Sequence, residues 1–172
     1  MLKLIGASII LFSATMMGFQ AAKMYANRPK EIRRLGVALQ LLETEICYGS
    51  TTLALALQHV GKRVQDEIGS IFVQTAEYLT RYDGLSTMDC WEMGIEKTWP
   101  KTTMKQAEKE ILLHLGKVLG KSDKLDQQKH IRLAILNLQK EEEDARAEQQ
   151  KYEKMCKSLG VLSGILAVIL MY

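Results

Sequence analysis

The stretch LGKSDKLDQQKHI, residues 119–131, carries the side chains of this sequence that are best suited to chemistry. It places a serine, two aspartates and a histidine within a few positions of one another. Asp126 and His130 stand four residues apart, so on a helix they would share a face and could form a hydrogen bond. A nucleophilic serine needs a base of this kind within hydrogen-bond reach. The candidate site residues are Ser122, Asp123, Asp126 and His130.

A helix start accounts for the same stretch without catalysis. Gly120 is suited to close one helix and Ser122 to cap the next, with Asp123 and Asp126 near the positive end of that helix. The sequence has no glycine-rich phosphate loop and no nucleophile elbow that would support an enzyme. We therefore interpret these residues as a structural corner, or as a surface that holds a partner, and predict no enzymatic activity.

Charge and cysteine usage exclude several other classes of function. A net charge of +3 over 172 residues is too small to indicate binding to nucleic acid. The cysteines Cys47, Cys90 and Cys156 form no CxxC pair, and no histidine lies at zinc-ligand spacing from them. We predict free thiols in a reducing compartment, and neither a metal nor a cofactor.

The N-terminus predicts a transmembrane anchor over residues 1–24. Residues 4–22 contain no charge and are bracketed by Lys3 and Lys23. Nineteen residues at about 1.5 Å each nearly cover a hydrocarbon core of about 30 Å. The alternative is a cleaved signal peptide, but Gln20 stands where a small side chain is needed before the cleavage site.

The C-terminus predicts a second transmembrane helix over residues 158–172. This segment is uncharged to its last residue and apolar on all sides, whereas a buried core helix, the alternative, normally has a polar face. Lysines and arginines follow the first span and precede the second, which places residues 25–157 in the cytoplasm and both termini across the membrane. We therefore expect residues 25–157 to form a cytoplasmic domain, and we expect no domain on the other side of the membrane.

Residues 25–157 predict an all-α bundle of about six helices, the last of which continues into the membrane. The chain has two prolines and no stretch of sustained period-2 alternation. Apolar residues recur at helical spacing in successive segments. The predicted segments run from Pro29 to YGSTT at 48–52, over 53–60, over 66–82, from Ser86 to Pro100, from Thr103 to Gly120, and from Ser122 onward without a break.

A weak coiled-coil pattern follows in the last helix. Residues spaced alternately four and three apart favour a seam against another helix, namely Ile131, Ile135, Leu138, Glu142, Ala145, Gln149, Tyr152, Cys156 and Leu159. The partner could be the chain's own N-terminal helix or another subunit, so self-association is left open.

Five motifs together resemble one known family over essentially the whole chain. They are YANRPKEIRRL, ALQLLETEICYGSTTLALAL, WEMGIEKTWP, LGKSDKLDQQKHIRLAI and KYEKMCKSLGVLSGILAVIL. In this order, after an apolar N-terminus, they resemble the stage III sporulation protein AB family of endospore-forming bacteria. The resemblance implies a soluble domain similar to the cytoplasmic domain of the type II secretion F protein.

The resemblance also implies a function and partners. The chain would be a membrane-anchored platform or scaffold of a secretion-like channel complex between mother cell and forespore. Its partners would be other stage III sporulation membrane proteins, especially a secretion-type ATPase, together with membrane lipid. The resemblance carries over no catalytic residue. An alternative is a two-span signalling or adaptor protein with a cytoplasmic partner-binding domain, which the missing external domain disfavours.

Overall fold

The structure is a computed structural model of the chain. It describes the backbone of residues 2–49, 51–81 and 84–171. Side chains are described for these residues except 2–11, 157, 160–161, 164, 167–168 and 170–171.

The described chain is all-helical, with six α-helices and one 3₁₀ turn. The all-α prediction of about six helices is confirmed for these residues. In chain order, the helices are α1 (Leu2–Tyr48), α2 (Leu53–Val64), α3 (Asp66–Arg81), α4 (Thr87–Thr98), α5 (Gln106–Gly116) and α6 (Lys124–Met171), with the 3₁₀ turn at Trp99–Lys101 between α4 and α5.

Helix α1 begins well before the predicted position. Pro29 lies inside the helix, so the prediction that a helix begins there is wrong. A proline in this position removes one N–H donor from the ladder, yet good helix formers on either side continue the helix through it. The predicted end is confirmed, because α1 stops at Tyr48 and the Gly49 N–H donates to the Glu45 carbonyl at 2.9 Å.

Helix α4 begins at the predicted cap. The Ser86 hydroxyl accepts a hydrogen bond from the Asp89 N–H, and the Asp89 carboxylate accepts one from the Ser86 N–H at 3.1 Å. These two bonds form a capping box, which satisfies two otherwise free backbone donors. The hydrogen bonds from Ser86 lower the pKa of Asp89. Before Pro100, α4 gives way to the 3₁₀ turn, as a proline at that position favours.

Helix α5 begins later than predicted. It starts at Gln106, so the prediction of a start at Thr103 is wrong. The Thr103 N–H is instead bound by the Glu31 carboxylate of α1 at 2.7 Å. The Lys105 N–H donates to Glu108 Oε2 at 2.7 Å, and this bond fixes the start of the helix.

The chain divides into two compact units. One comprises residues 30–143, and its core contains the fully buried Trp91. Trp91 Nε1 donates to the Leu112 carbonyl at 2.8 Å, and its ring meets Phe72 edge to face at 5.7 Å between centroids. The buried side chains of this unit also include Leu35, Leu39 and Leu42 of α1 and Ile131 and Leu138 of α6.

The other unit comprises residues 1–29 and 144–172. Within it, Ala22 of α1 and Ala145 of α6 are each 1% exposed. The rings of Tyr25 and Tyr152 lie 5.4 Å apart between centroids. Arg28 Nη1 binds Glu148 Oε2 at 2.7 Å, a pair in which the arginine is almost fully buried.

Within the described residues, no helix is both long enough and apolar enough to cross a membrane. The spans predicted over residues 1–24 and 158–172 are therefore not supported there. Part of each segment lies outside the residues whose side chains are described. The predicted domain bounds of 1–24, 25–157 and 158–172 stay a prediction.

Candidate functional site

The predicted corner at residues 119–131 is built around the start of α6. Asp123, and not Ser122, is the capping residue: its Oδ1 accepts the Asp126 N–H at 2.7 Å. Ser122 Oγ donates to the Val118 carbonyl at 3.3 Å, so its hydroxyl is engaged with the preceding turn. The prediction that Ser122 caps the helix is wrong because the carboxylate one residue later reaches the free N–H.

A glutamine that the sequence patterns do not single out holds this turn together. Gln127 Nε2 donates to the Ser122 carbonyl at 2.8 Å, and Gln127 Oε1 accepts the Gly120 N–H at 3.3 Å. Gly120 has a positive φ of 73°, which suits glycine. One amide therefore closes the turn between α5 and α6 from both sides.

Asp126 and His130 lie on one face of α6, but they are too far apart for a hydrogen bond. Asp126 Oδ1 and His130 Nε2 are separated by 3.7 Å, and both side chains are partly exposed. At this distance they form an ion pair when the histidine is protonated. Asp126 and His130 therefore lie beside each other on α6, whereas the Ser122 hydroxyl is hydrogen-bonded to the Val118 carbonyl.

A polar contact between α1 and α6 adjoins this corner. Glu43 Oε1 of α1 accepts Arg132 Nε at 2.7 Å and Gln128 Nε2 at 2.9 Å. Burial by itself would raise the pKa of Glu43, but the hydrogen bonds from Gln128 and Arg132, with the charge of Arg132, lower it overall. Lys124 Nζ lies 3.4 Å from the Gly49 carbonyl, at the negative end of α1.

A second surface, which we name the α1–α2 groove, runs between those two helices. Its apolar side chains are Val37, Leu41, Val60 and Val64, and its polar side chains are Arg33, Arg34, Glu45, His59, Lys62, Arg63, Gln65 and Asp66. Val37 is 47% exposed on this surface. A surface with apolar side chains and an excess of basic over acidic ones suits a segment that carries both apolar and acidic side chains.

The charges of the groove are only partly neutralised. Arg33 Nε binds Glu142 at 3.0 Å, and Arg34 Nη1 binds Asp66 at 2.5 Å. Lys62 and Arg63, in the last turn of α2, have no ion pair in the part of the chain that the structure describes. These two cations are therefore available to an acidic partner.

One end of the groove is a strained turn between α2 and α3. Gln65 and Asp66 both have positive φ, 57° and 50°, in consecutive positions that are not glycine. Such a conformation costs roughly 1–3 kcal/mol per residue and persists only where its surroundings enforce it. Here Asp66 accepts the Ile68 N–H at 2.9 Å on one oxygen and Arg34 on the other.

Sequence patterns did not identify this groove. The signal that could have found it is the pair of adjacent cations at the end of α2, because Leu57 and Val60 face inward and Lys62 and Arg63 then face outward. The positive φ values at Gln65 and Asp66 carry no such signal, since neither residue type demands them.

A separate groove between α2 and α3 is lined by Thr52, Leu55, Gln58, Glu77 and Arg81, among others.

Comparison with known proteins identifies one family. A family model described as stage III sporulation protein AB matches residues 3–172. The chain is 42% identical to the stage III sporulation protein AB of Bacillus subtilis (strain 168), over 171 residues that make up 99% of each chain. It is also similar to a solved structure of stage III sporulation protein AB, with 37% identity and a TM-score of 0.68. That similarity covers 73% of this chain and 98% of the solved one.

Proposed function

The chain belongs to the stage III sporulation protein AB family and has a sporulation-related role, and from that premise we propose that it is a platform component of a secretion-like membrane complex. In this proposal its helices are a non-enzymatic scaffold that binds a secretion-type ATPase and other stage III sporulation proteins. The complex connects mother cell and forespore.

The observation that carries this proposal is the family match over residues 3–172. The chemistry of the described residues agrees with a binding role. The candidate residues Ser122 and Asp123, together with Gln127, hold backbone groups of a turn. Burial raises the pKa of the Cys90 thiol, with a further contribution from the charge of Asp89, so this cysteine is a poor nucleophile.

We further propose that the protein is anchored at both ends in the membrane, with residues 25–157 in the cytoplasm. The support is the charge-free run at residues 4–22, the uncharged C-terminal segment 158–172, and the basic residues that follow the first and precede the second. Membrane lipid is then a partner by virtue of this attachment.

The α1–α2 groove is the proposed docking surface for the ATPase. It combines exposed apolar area at Val37 with the cations Lys62 and Arg63. Complementary charge at an interface accelerates association and selects the partner. The predicted corner at Ser122, Asp123, Asp126 and His130 is a second proposed partner contact.

A co-purification experiment with matched variants tests the platform. Arg63→Glu and Arg81→Glu each reverse an exposed arginine in the last turn of a helix, the first in the α1–α2 groove and the second in the α2–α3 groove. We expect the tagged wild-type chain to recover the ATPase from sporulating cells, and Arg63→Glu to reduce the recovery roughly fivefold or more. Arg81→Glu should recover as much as the wild type.

The outcomes separate the parts of the proposal. If the wild type recovers no secretion-type ATPase, the platform role with this partner is wrong. If Arg63→Glu and Arg81→Glu recover equal amounts, the ATPase binds the chain at a surface other than the α1–α2 groove.

A further inference from the structure

Helix α6 presents two apolar faces within the unit of residues 30–143. The inner face carries Ile131, Ala134, Ile135 and Leu138, all at most 8% exposed. On the outer side, Leu125, Leu133 and Leu136 are 77%, 52% and 61% exposed. An amphipathic helix buries one apolar face, and these three exposed leucines lie outside the buried face of α6.

These leucines form one continuous stripe with two lysines, which we name the leucine–lysine stripe. Positions 125, 129, 133, 136 and 140 are separated by four, four, three and four residues, so they lie on one side of a helix. Lys129 and Lys140 are exposed. Neither has an ion pair in the described part of the chain, whereas the neighbouring Arg132 is bound to Glu43 at 2.7 Å.

The two lysines of the stripe favour a protein helix over a lipid layer as the surface that binds it. Lys129 lies between Leu125 and Leu133 along this side of the helix, and Lys140 lies one turn beyond Leu136, the last leucine of the stripe. A neutral lipid layer that covered Leu125 and Leu133 would offer no counter-charge to the ammonium group of Lys129 between them. A protein helix can place a carboxylate opposite each lysine, as interhelical pairs do in coiled coils.

We propose that the leucine–lysine stripe is a docking site for an amphipathic helix of a partner protein that carries apolar and acidic side chains on one face. Lys129 and Lys140 are eleven residues apart, which corresponds to about three turns and about 16.5 Å. The partner helix carries two carboxylates at this spacing and leucine-type residues between them. This inference stands independently of the secretion-like role and of the α1–α2 groove.

Two synthetic peptides of identical composition test the spacing. Each has 20 residues; one carries two glutamates eleven residues apart within its leucine face, and the other carries them on the opposite face. The full-length chain, reconstituted in phosphatidylcholine nanodiscs, is titrated against each labelled peptide and followed by fluorescence anisotropy. We expect the first peptide to bind about tenfold more tightly than the second. Equal affinities would overturn the proposal.

Variants of the chain test the location. We expect Leu136→Glu to weaken binding of the first peptide about tenfold or more. The double variant Lys129→Glu, Lys140→Glu should lose the preference for it and prefer a peptide with lysines in place of the glutamates. Leu85→Glu, at a residue that is 42% exposed outside α6, and Lys101→Glu, on the 3₁₀ turn, are the matched controls and should bind as the wild type.

All these substitutions are at exposed side chains, so the variants should unfold at the temperature of the wild type, which circular dichroism checks. The proposal fails if Leu136→Glu and Leu85→Glu have the same effect on peptide binding. It also fails if the stripe variants leave peptide binding unchanged but reduce binding to phosphatidylserine-containing vesicles, which would identify a lipid surface as the occupant.

Discussion

At the N-terminus of α6, the backbone N–H of Asp126 is hydrogen-bonded to the carboxylate of Asp123 and not to solvent. The first N–H groups of a helix have no partner within the helix, and an anionic acceptor also interacts favourably with the helix dipole. Ser122 lies one residue too early to serve this N–H group, and its hydroxyl binds the Val118 carbonyl. The identity of one residue therefore fixes the start of the longest helix.

Replacing the capping carboxylate should measurably destabilise the fold. We expect Asp123→Ala to lower the free energy of unfolding by about 0.5–2 kcal/mol, because it leaves the Asp126 N–H without its acceptor. Ser122→Ala should change it by less than about 0.5 kcal/mol. Urea denaturation followed by circular dichroism provides the comparison. A larger loss in Ser122→Ala than in Asp123→Ala would reassign the cap to the serine.

Two glutamates of α1 that bind other segments, Glu31 and Glu43, have opposite pKa shifts. Burial raises the pKa of Glu31 above its ordinary value of 4.5, although the Thr103 N–H partly offsets this effect. At Glu43, burial also acts to raise the pKa, but the hydrogen bonds from Gln128 and Arg132 outweigh it and the pKa is lowered. The two carboxyl groups therefore contribute to stability with opposite dependence on pH.

Glu43→Gln should reduce stability at pH 7. Because folding lowers the pKa of Glu43, its ionised form stabilises the fold above the unfolded pKa of about 4.5. This contribution is lost as the pH falls through the folded pKa. The difference between Glu43→Gln and the wild type should therefore shrink in acid, as measured by urea denaturation from pH 7 to pH 3.

Glu31→Gln should show the reverse pattern in the same titration. Folding raises the pKa of Glu31, so its ionisation at neutral pH opposes folding, and glutamine keeps an acceptor for the Thr103 N–H. The variant should be more stable than the wild type at pH 7, and this gain should disappear below about pH 4.5. If both variants lose stability in parallel with pH, the two opposite shifts are wrong.

At the scale of elements, α2 and α3 cross at a point where two glycines face each other. A Cβ atom on Gly61 would lie 2.5 Å from Val73 Cγ2 and 2.7 Å from the Gly69 carbonyl oxygen. A Cβ atom on Gly69 would lie 2.6 Å from the Gly61 carbonyl oxygen. Because the obstructing atoms include backbone, the two helices would have to move apart to admit a methyl group.

Alanine at the crossing should therefore destabilise the bundle, in contrast to its usual effect in a helix. We expect Gly69→Ala to lower the free energy of unfolding by about 1–3 kcal/mol. Gly36→Ala is the matched control, since among the described residues no atom beyond its own stretch of helix lies within 4 Å of an added Cβ. It should raise the free energy of unfolding by about 0.5–1 kcal/mol. Chemical denaturation of both variants measures the contrast, and a similar effect in the two would rule out the close crossing.

Periodicity predicted the elements better than their ends. The seam positions Ile131, Ile135 and Leu138 are buried, and Ala145 is 1% exposed, because a spacing of four and three keeps residues on one side of a helix. The predicted start at Pro29 was wrong because helix-forming residues on either side continue α1 through it. The predicted start at Thr103 was wrong because the Glu31 carboxylate binds the Thr103 N–H. Leu159, the last position of the predicted seam, is 55% exposed and is therefore not buried as the other four are.

At the scale of the whole chain, sequence patterns were informative about family and helix content and less informative about surfaces. Five motifs pointed to the family that matches residues 3–172. The α1–α2 groove is formed by residues that are distant in the sequence, such as Arg34 and Asp66. The apolar spacing within a single helix does not reveal which distant residues lie together. The inward seam at Ile131 and Ile135 accounts for the apolar periodicity of α6, so sequence patterns did not predict its exposed outer leucines.

The proposed attachment to the membrane can be tested on the intact chain. Residues 4–22 carry no charge, and moving such a segment from a lipid core into water would expose its apolar side chains. We therefore expect the full-length protein to stay in the membrane fraction after an alkaline carbonate wash, and its N-terminus to remain uncleaved. A variant that lacks residues 1–24, compared with one that lacks residues 158–172, tells which segment retains it. Release of the unaltered chain by carbonate, or an N-terminus near Lys23, would refute the anchors, because an integral helix withstands the wash and a cleaved leader would be absent from the mature chain.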